Sequence, residues 1–190
     1  MKKKSLFLLI SLFFSTFVFS QNEEPVVLSA EQFSVKDKNG NSFYLKMPVK
    51  EVLDILGEPR KKTNLWGSYP QASCAYYQIE YDGILFKYFD VDDYISTIWV
   101  NSPEYSISNL TINSSLELIE KTFEKLNSYQ HEYNNKRLQK RHKFYIFNTL
   151  GTNLSYREHT VNYYYVVGFD FPVDSEVCDF FYVEIPFGED

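Results

Sequence analysis

Along residues 32–190 the apolar positions switch between two periods. Val49, Val52, Leu53 and Leu56 recur at i, i+3, i+4 and i+7, which is one face of a helix, with Lys50, Glu51 and Asp54 on its wet side. Pro48 suits the start of that helix, and Gly57 followed by Pro59 suits its end. Leu116, Ile119, Phe123 and Leu126 predict a second helix, opened by a capping box between Ser114 and Glu117. Elsewhere the period is two. Tyr77, Ile79 and Tyr81 alternate with Tyr76, Gln78 and Glu80, and Ile84, Phe86 and Tyr88 alternate with Leu85, Lys87 and Phe89. Asp82-Gly83 is a two-residue hairpin turn between these strands, and residues 94–100 predict a third. Further strands are expected over 143–147, 161–171 and 177–185. A short hairpin is expected around Lys38-Asn39-Gly40-Asn41, while the polar stretches 60–73 and 127–140 read as loops.

The order is helix, three strands, helix, three strands. The connections between successive strands are too short for parallel crossovers, so the pairing is expected to be antiparallel. Pro48 aligns with Ser114 and Glu51 with Glu117, which suggests an internal repeat. The expected fold is α+β: two degenerate helix-plus-three-strand units forming an antiparallel sheet with helices packed on one face. Unit one covers about 32–108 and unit two about 109–190, in a single α+β domain over 32–190.

The leader follows a different logic. Lys2, Lys3 and Lys4 precede an apolar stretch over 6–19, and Val18-Phe19-Ser20 places compact residues before a cleavage point at Gln21. Residues 1–20 are therefore read as a signal peptide and polar residues 21–31 as a disordered lead-in. The apolar stretch is short for a bilayer span, and no second run reaches spanning length. No cysteine lies near the cleavage point, so the expected product is exported, periplasmic or secreted, and not a lipoprotein. Removing the leader takes the formal charge from −6 to −9, with 16 basic against 25 acidic residues. Such a surface repels phosphate backbones, so nucleic acid is not an expected partner.

Three segments share a cadence: residues 49–59, ending Leu56-Gly57-Glu58-Pro59; Tyr81-Asp82-Gly83-Ile84-Leu85-Phe86; and Ile95-Ser96-Thr97-Ile98-Trp99-Val100. Together they resemble the repeat unit of β-lactamase-inhibitor-protein-like domains and of the small outer-membrane assembly lipoproteins of the SmpA/OmlA type. The resemblance covers mainly residues 47–100. The second helix has Asn127-Ser128 in place of the Gly-x-Pro stop, and the lipid-bearing cysteine of the lipoproteins is absent. What the resemblance implies is helices on one face of an antiparallel sheet and a non-enzymatic role in binding proteins or building envelope complexes.

The residues themselves carry little chemistry. The two cysteines, Cys74 and Cys178, permit one disulfide in an oxidising compartment, or else two separate buried thiols. The three histidines, His131, His142 and His159, lack metal-ligand spacing and read as solvated loop residues. Asp90, Asp92 and Asp93 read as an acidic turn without the ligand spacing of a calcium loop. No nucleophile elbow and no phosphate-binding glycine loop is present, so no catalytic residue, metal or cofactor is expected. Asn109, Asn113 and Asn153 begin glycosylation triplets, which matter only in a eukaryotic secretory pathway. An antiparallel sheet covered on one side leaves the other wet. Tyr76, Tyr88, Tyr163, Tyr165 and Trp66 are the candidate binding surface there, unless their half of the alternation faces the core. The expected function is recognition of a protein partner in the envelope or outside the cell. A small-ligand or glycan binder using exposed rings is the alternative, and a secreted hydrolase a further one.

Overall fold

A computed structural model describes residues 33–65, 76–90, 93–135, 140–156 and 159–185. Thirteen elements follow in chain order. They are β1 (Val35–Asp37), β2 (Ser42–Phe43), α1 (Val49–Leu56), β3 (Lys61–Asn64), β4 (Tyr76–Tyr81), β5 (Ile84–Phe89), β6 (Ile95–Val100) and β7 (Tyr105–Ile107). After these come α2 (Leu116–Thr122), β8 (Asn127–Asn135), β9 (Lys140–Tyr156), β10 (His159–Pro172) and β11 (Phe180–Glu184). The fold is α+β and dominated by antiparallel sheet.

Local chemistry explains the ends of the elements. Asp37 Oδ1 accepts from the backbone N–H groups of Asn39 and Asn41, closing the β1–β2 turn. Gly57 adopts φ +75°, a conformation that an L side chain resists, and its N–H donates to the Leu53 carbonyl at 2.8 Å. The cap of α2 lies one residue beyond the expected position. Ser115 accepts from Leu118 N–H, while Ser114 Oγ accepts from Thr111 N–H in the preceding turn. No helix among the described residues is long and apolar enough to cross a membrane.

The large sheet has eight strands in the order β3-β4-β5-β6-β11-β10-β9-β8. Each helix is therefore followed by four strands that enter this sheet, not three. The additional strands, β3 and β8, lie in the polar stretches expected as loops. Polarity misled there because both are sheet edges, where side chains stay wet and only the backbone is paired on one side. Successive strands form hairpins, and β6 pairs β11 to join the two halves. The β9–β10 ladder runs on to Tyr156 and His159, past Asn148 and Val166, where the pairing with β8 and β11 ends. A second sheet, β2-β1-β7, is hydrogen-bonded separately from the first.

One face of the large sheet builds the core. Ile79, Phe86, Ile98, Val183, Val167 and Phe147 form a continuous cross-strand row, each member buried. Onto this face pack Val49 and Val52 of α1, Ile119 of α2, Phe123, and Val35, Phe43 and Ile107 of the small sheet. Each such side chain contributes roughly 1.5–3 kcal/mol on burial. We expect Ile119→Ala to cost about 3 kcal/mol in a denaturant titration. Leu118→Ala, on the exposed side of the same helix, should shift stability by no more than about 0.5 kcal/mol.

Candidate functional site

The other face of the large sheet carries a different set of side chains. Alternation in β6 sends Ile98 to the core and Trp99 outward, and the pairing then fixes the outer row Leu85–Trp99–Tyr182–Gly168–Ile146–Tyr129. Phe180, Asp170, Phe144 and His131 form the neighbouring row. Glu184 lies two residues beyond Tyr182 on β11, on the side away from Phe180.

Gly168 organises this surface. A Cβ there would stand 2.2 Å from Tyr182 Cε1 and 2.9 Å from Phe144 Cζ. Without one, Phe144 of β9 reaches over β10 and stacks on Tyr182 of β11, with centroids 5.2 Å apart and planes within 8°. On the opposite side Tyr182 stacks on Trp99 at 5.7 Å, and Trp99 stacks on Phe180 at 5.0 Å. The Lys87 ammonium lies 5.0 Å from the Trp99 ring centre, a cation–π contact. Trp99, His131, Tyr133, Phe144, Phe180, Tyr182 and Glu184 line a shallow hollow of about 300 Å³. Trp99 Nε1 is buried without a hydrogen-bond partner among the described residues.

The charges here are held in poor solvent. Burial raises the Glu184 carboxyl above its ordinary range, against the pull of Lys87, and burial holds the Lys87 ammonium below its own. Burial also raises the Tyr182 phenol.

Beside the hollow lies a polar cluster. His142 Nδ1 is 2.6 Å from Asp170 Oδ2, and Tyr133 Oη donates to Asp170 Oδ1 at 3.0 Å. His142 and Asp170 are fully buried, and His142 Nε2 has no hydrogen-bond partner among the described residues. Burial raises the Asp170 carboxyl, while its bonds from His142 and Tyr133 pull it down. His142 is therefore not the solvated loop residue expected. It sits inside β9, because the imidazole finds a carboxylate across the strand pair and is thereby satisfied on one nitrogen. Asp170 carried the readable signal, as a lone acid between Phe169 and Phe171 in an apolar strand. His131 is exposed on β8, a strand and not a loop.

Three of the five expected surface residues, Tyr76, Tyr88 and Tyr165, are buried. Tyr88 and Tyr165 belong to the core on the helix side, Tyr165 stacked on Phe33 at 5.7 Å. Tyr76 falls on the outer side but is only 3% exposed, stacked on Phe89 at 4.5 Å. The alternation gave two faces, and tyrosines occupy both, so composition could not choose between them. The β10 backbone includes Tyr163, whose side chain lies outside the described residues, as do Trp66 and Cys74. Cys178 is buried, with Sγ 3.2 Å from the Ile112 carbonyl, and burial pushes its thiol up to about 12. The disulfide with Cys74 stays an expectation. No group of three or more metal-ligating side chains occurs among the described residues.

Comparison with protein-family models, with curated proteins and with solved structures finds no match.

Two measurements probe this face. Gly168→Ala should cost about 1–3 kcal/mol and change the near-ultraviolet circular dichroism, because the new methyl separates Phe144 from Tyr182. For Glu184 the folded state favours the protonated form, so its burial costs stability above the ordinary carboxylate range and nothing below it. Glu184→Gln should therefore melt higher than the parent at pH 7, and the two curves should converge below about pH 4.

Proposed function

We propose that this chain is an exported, non-enzymatic binding domain that recognises a protein partner through the outer face of its large sheet. The carrying observation is the aromatic hollow around Tyr182, on the face opposite the helices. Tryptophan and tyrosine supply large, stiff contact area at low entropic cost, and such residues dominate the energetics of protein interfaces. The arrangement of strands β3-β4-β5-β6 against β11-β10-β9-β8, with one helix before each set, supports the reading of two degenerate units joined at β6 and β11. The export of the mature chain rests on the leader, with its basic start and apolar stretch.

A protein fits this hollow better than a sugar. A sugar would stack on free ring faces. Tyr182 has Trp99 on one side and Phe144 on the other, and Trp99 is further occupied by Phe180 and Lys87. The surface therefore presents packed apolar area instead of a row of bare planes. A hydrolase is disfavoured by the burial of the carboxylate–imidazole pair found among the described residues, His142 with Asp170, which does not line the hollow.

The test places a photo-reactive phenylalanine analogue at position 180, on the outer face, or at position 118, on the exposed side of α2. Irradiated in its native compartment, the first protein should give a discrete, protease-sensitive adduct and the second should not. A protease-resistant glycan adduct, or equal labelling from both positions, would overturn the reading.

A further inference from the structure

The two edges of the large sheet are built differently. β3 is four residues long and carries Lys61 and Lys62. A short, lysine-bearing edge resists the addition of another strand. At the other edge, β8 runs for nine residues as Asn-Ser-Tyr-Gln-His-Glu-Tyr-Asn-Asn, with no lysine, proline or glycine. Its pairing with β9 is continuous from Asn127↔Asn148 to Asn135↔Lys140, without a bulge to twist it away. Residues 128–132 are all exposed, and among the described residues no strand pairs with its far side. Backbone donors and acceptors along that side offer a template for a further strand.

The sequence of this edge is nearly its own reverse. About His131 as centre, Gln130 mirrors Glu132, Tyr129 mirrors Tyr133, Ser128 mirrors Asn134 and Asn127 mirrors Asn135. In an antiparallel pair related by a two-fold axis, mirrored positions fall opposite one another. Tyrosine then meets tyrosine, amide meets carboxylate, and asparagine meets asparagine. The single carboxylate of the strand, Glu132, is already matched by Arg141 at 2.6 Å and Lys143 at 4.0 Å, so two copies bring no uncompensated acids together. Tyr129, 53% exposed, would gain an aromatic neighbour.

We propose that β8 is the docking edge for a second copy of this chain, paired antiparallel about a two-fold axis midway between the two copies of His131. That axis stands normal to the sheet, so the outer faces of both copies lie on the same side. The two hollows then share one broad surface, with Tyr129, His131 and Tyr133 at its seam. The inference does not depend on the identity of any other partner.

The geometry has a signature that a general stickiness lacks: residue 131 faces itself. Sedimentation of the mature chain should show a concentration-dependent dimer. His131→Lys alone and His131→Glu alone should each weaken it about fivefold or more, whatever the sign of the charge. An equimolar mixture of the two variants should restore association to the parental level or beyond. Cα atoms directly opposed across an antiparallel pair lie about 4.5–5.5 Å apart, within disulfide reach. Mild oxidation should therefore link His131→Cys chains into dimers beyond the level of the parent, while Tyr129→Cys should not link to itself. A parent that stays monomeric, single variants that associate like the parent, a mixture no better than its components, or equal cross-linking at both positions would overturn the proposal.

Discussion

The ladder between β6 and β11 is the joint on which the molecule depends. Phe181 faces Val100, Tyr182 faces Trp99, Val183 faces Ile98, and Glu184 faces Thr97. Every other pairing in the large sheet joins strands that follow one another along the chain. Closing this one requires the first half of the sheet to wait for the end of the second, and its entropic cost must be met by what the ladder brings together. It completes the core row through Ile98 and Val183 on one side. On the other it sets Trp99 beside Tyr182. The packed interior and the aromatic hollow are two faces of the same pairing.

That shared origin explains the character of the outer face. Large rings on neighbouring strands stand close enough to stack, and Gly168 extends the stack across a strand that would otherwise interrupt it. The result is a stiff apolar patch with charged residues beside it whose solvation is poor. Lys87 and Glu184 each lean toward their neutral forms because of burial. A partner that displaces water here would remove less solvation from either than from a fully exposed charge. Thus the face can be covered at a smaller electrostatic cost than a surface of freely hydrated charges would demand.

Much of the architecture was legible from period alone. The helix at α1, the Asp82-Gly83 hairpin and the strands around Phe86 and Ile98 sit where alternation and turn chemistry place them. The edges were not legible. Residues 128–132 of β8 meet water on both faces of the strand, and a polar strand has no hydrophobic period to read. The site was legible in kind but not in residue. A tyrosine-rich alternating sheet implies an aromatic outer face, yet which rings face outward depends on which set the helices cover. That choice is made by contacts between distant segments, such as Phe33 with Tyr165. Asp170 could have been noticed as an acid among phenylalanines. Its partner could not, since His142 meets it only through the register of β9 against β10.

The His142–Asp170 pair also acts as a checksum on assembly. In the native alignment both residues lie on the outer side, where imidazole, carboxylate and the Tyr133 hydroxyl satisfy one another. Sliding β10 by one residue would turn its whole set of side chains over and drive a bare carboxylate in among the phenylalanines of the core. A ladder made only of apolar residues would tolerate that error more readily. This long hairpin carries one acid whose comfort is conditional, and misaligned versions of the sheet are thereby penalised before they can persist.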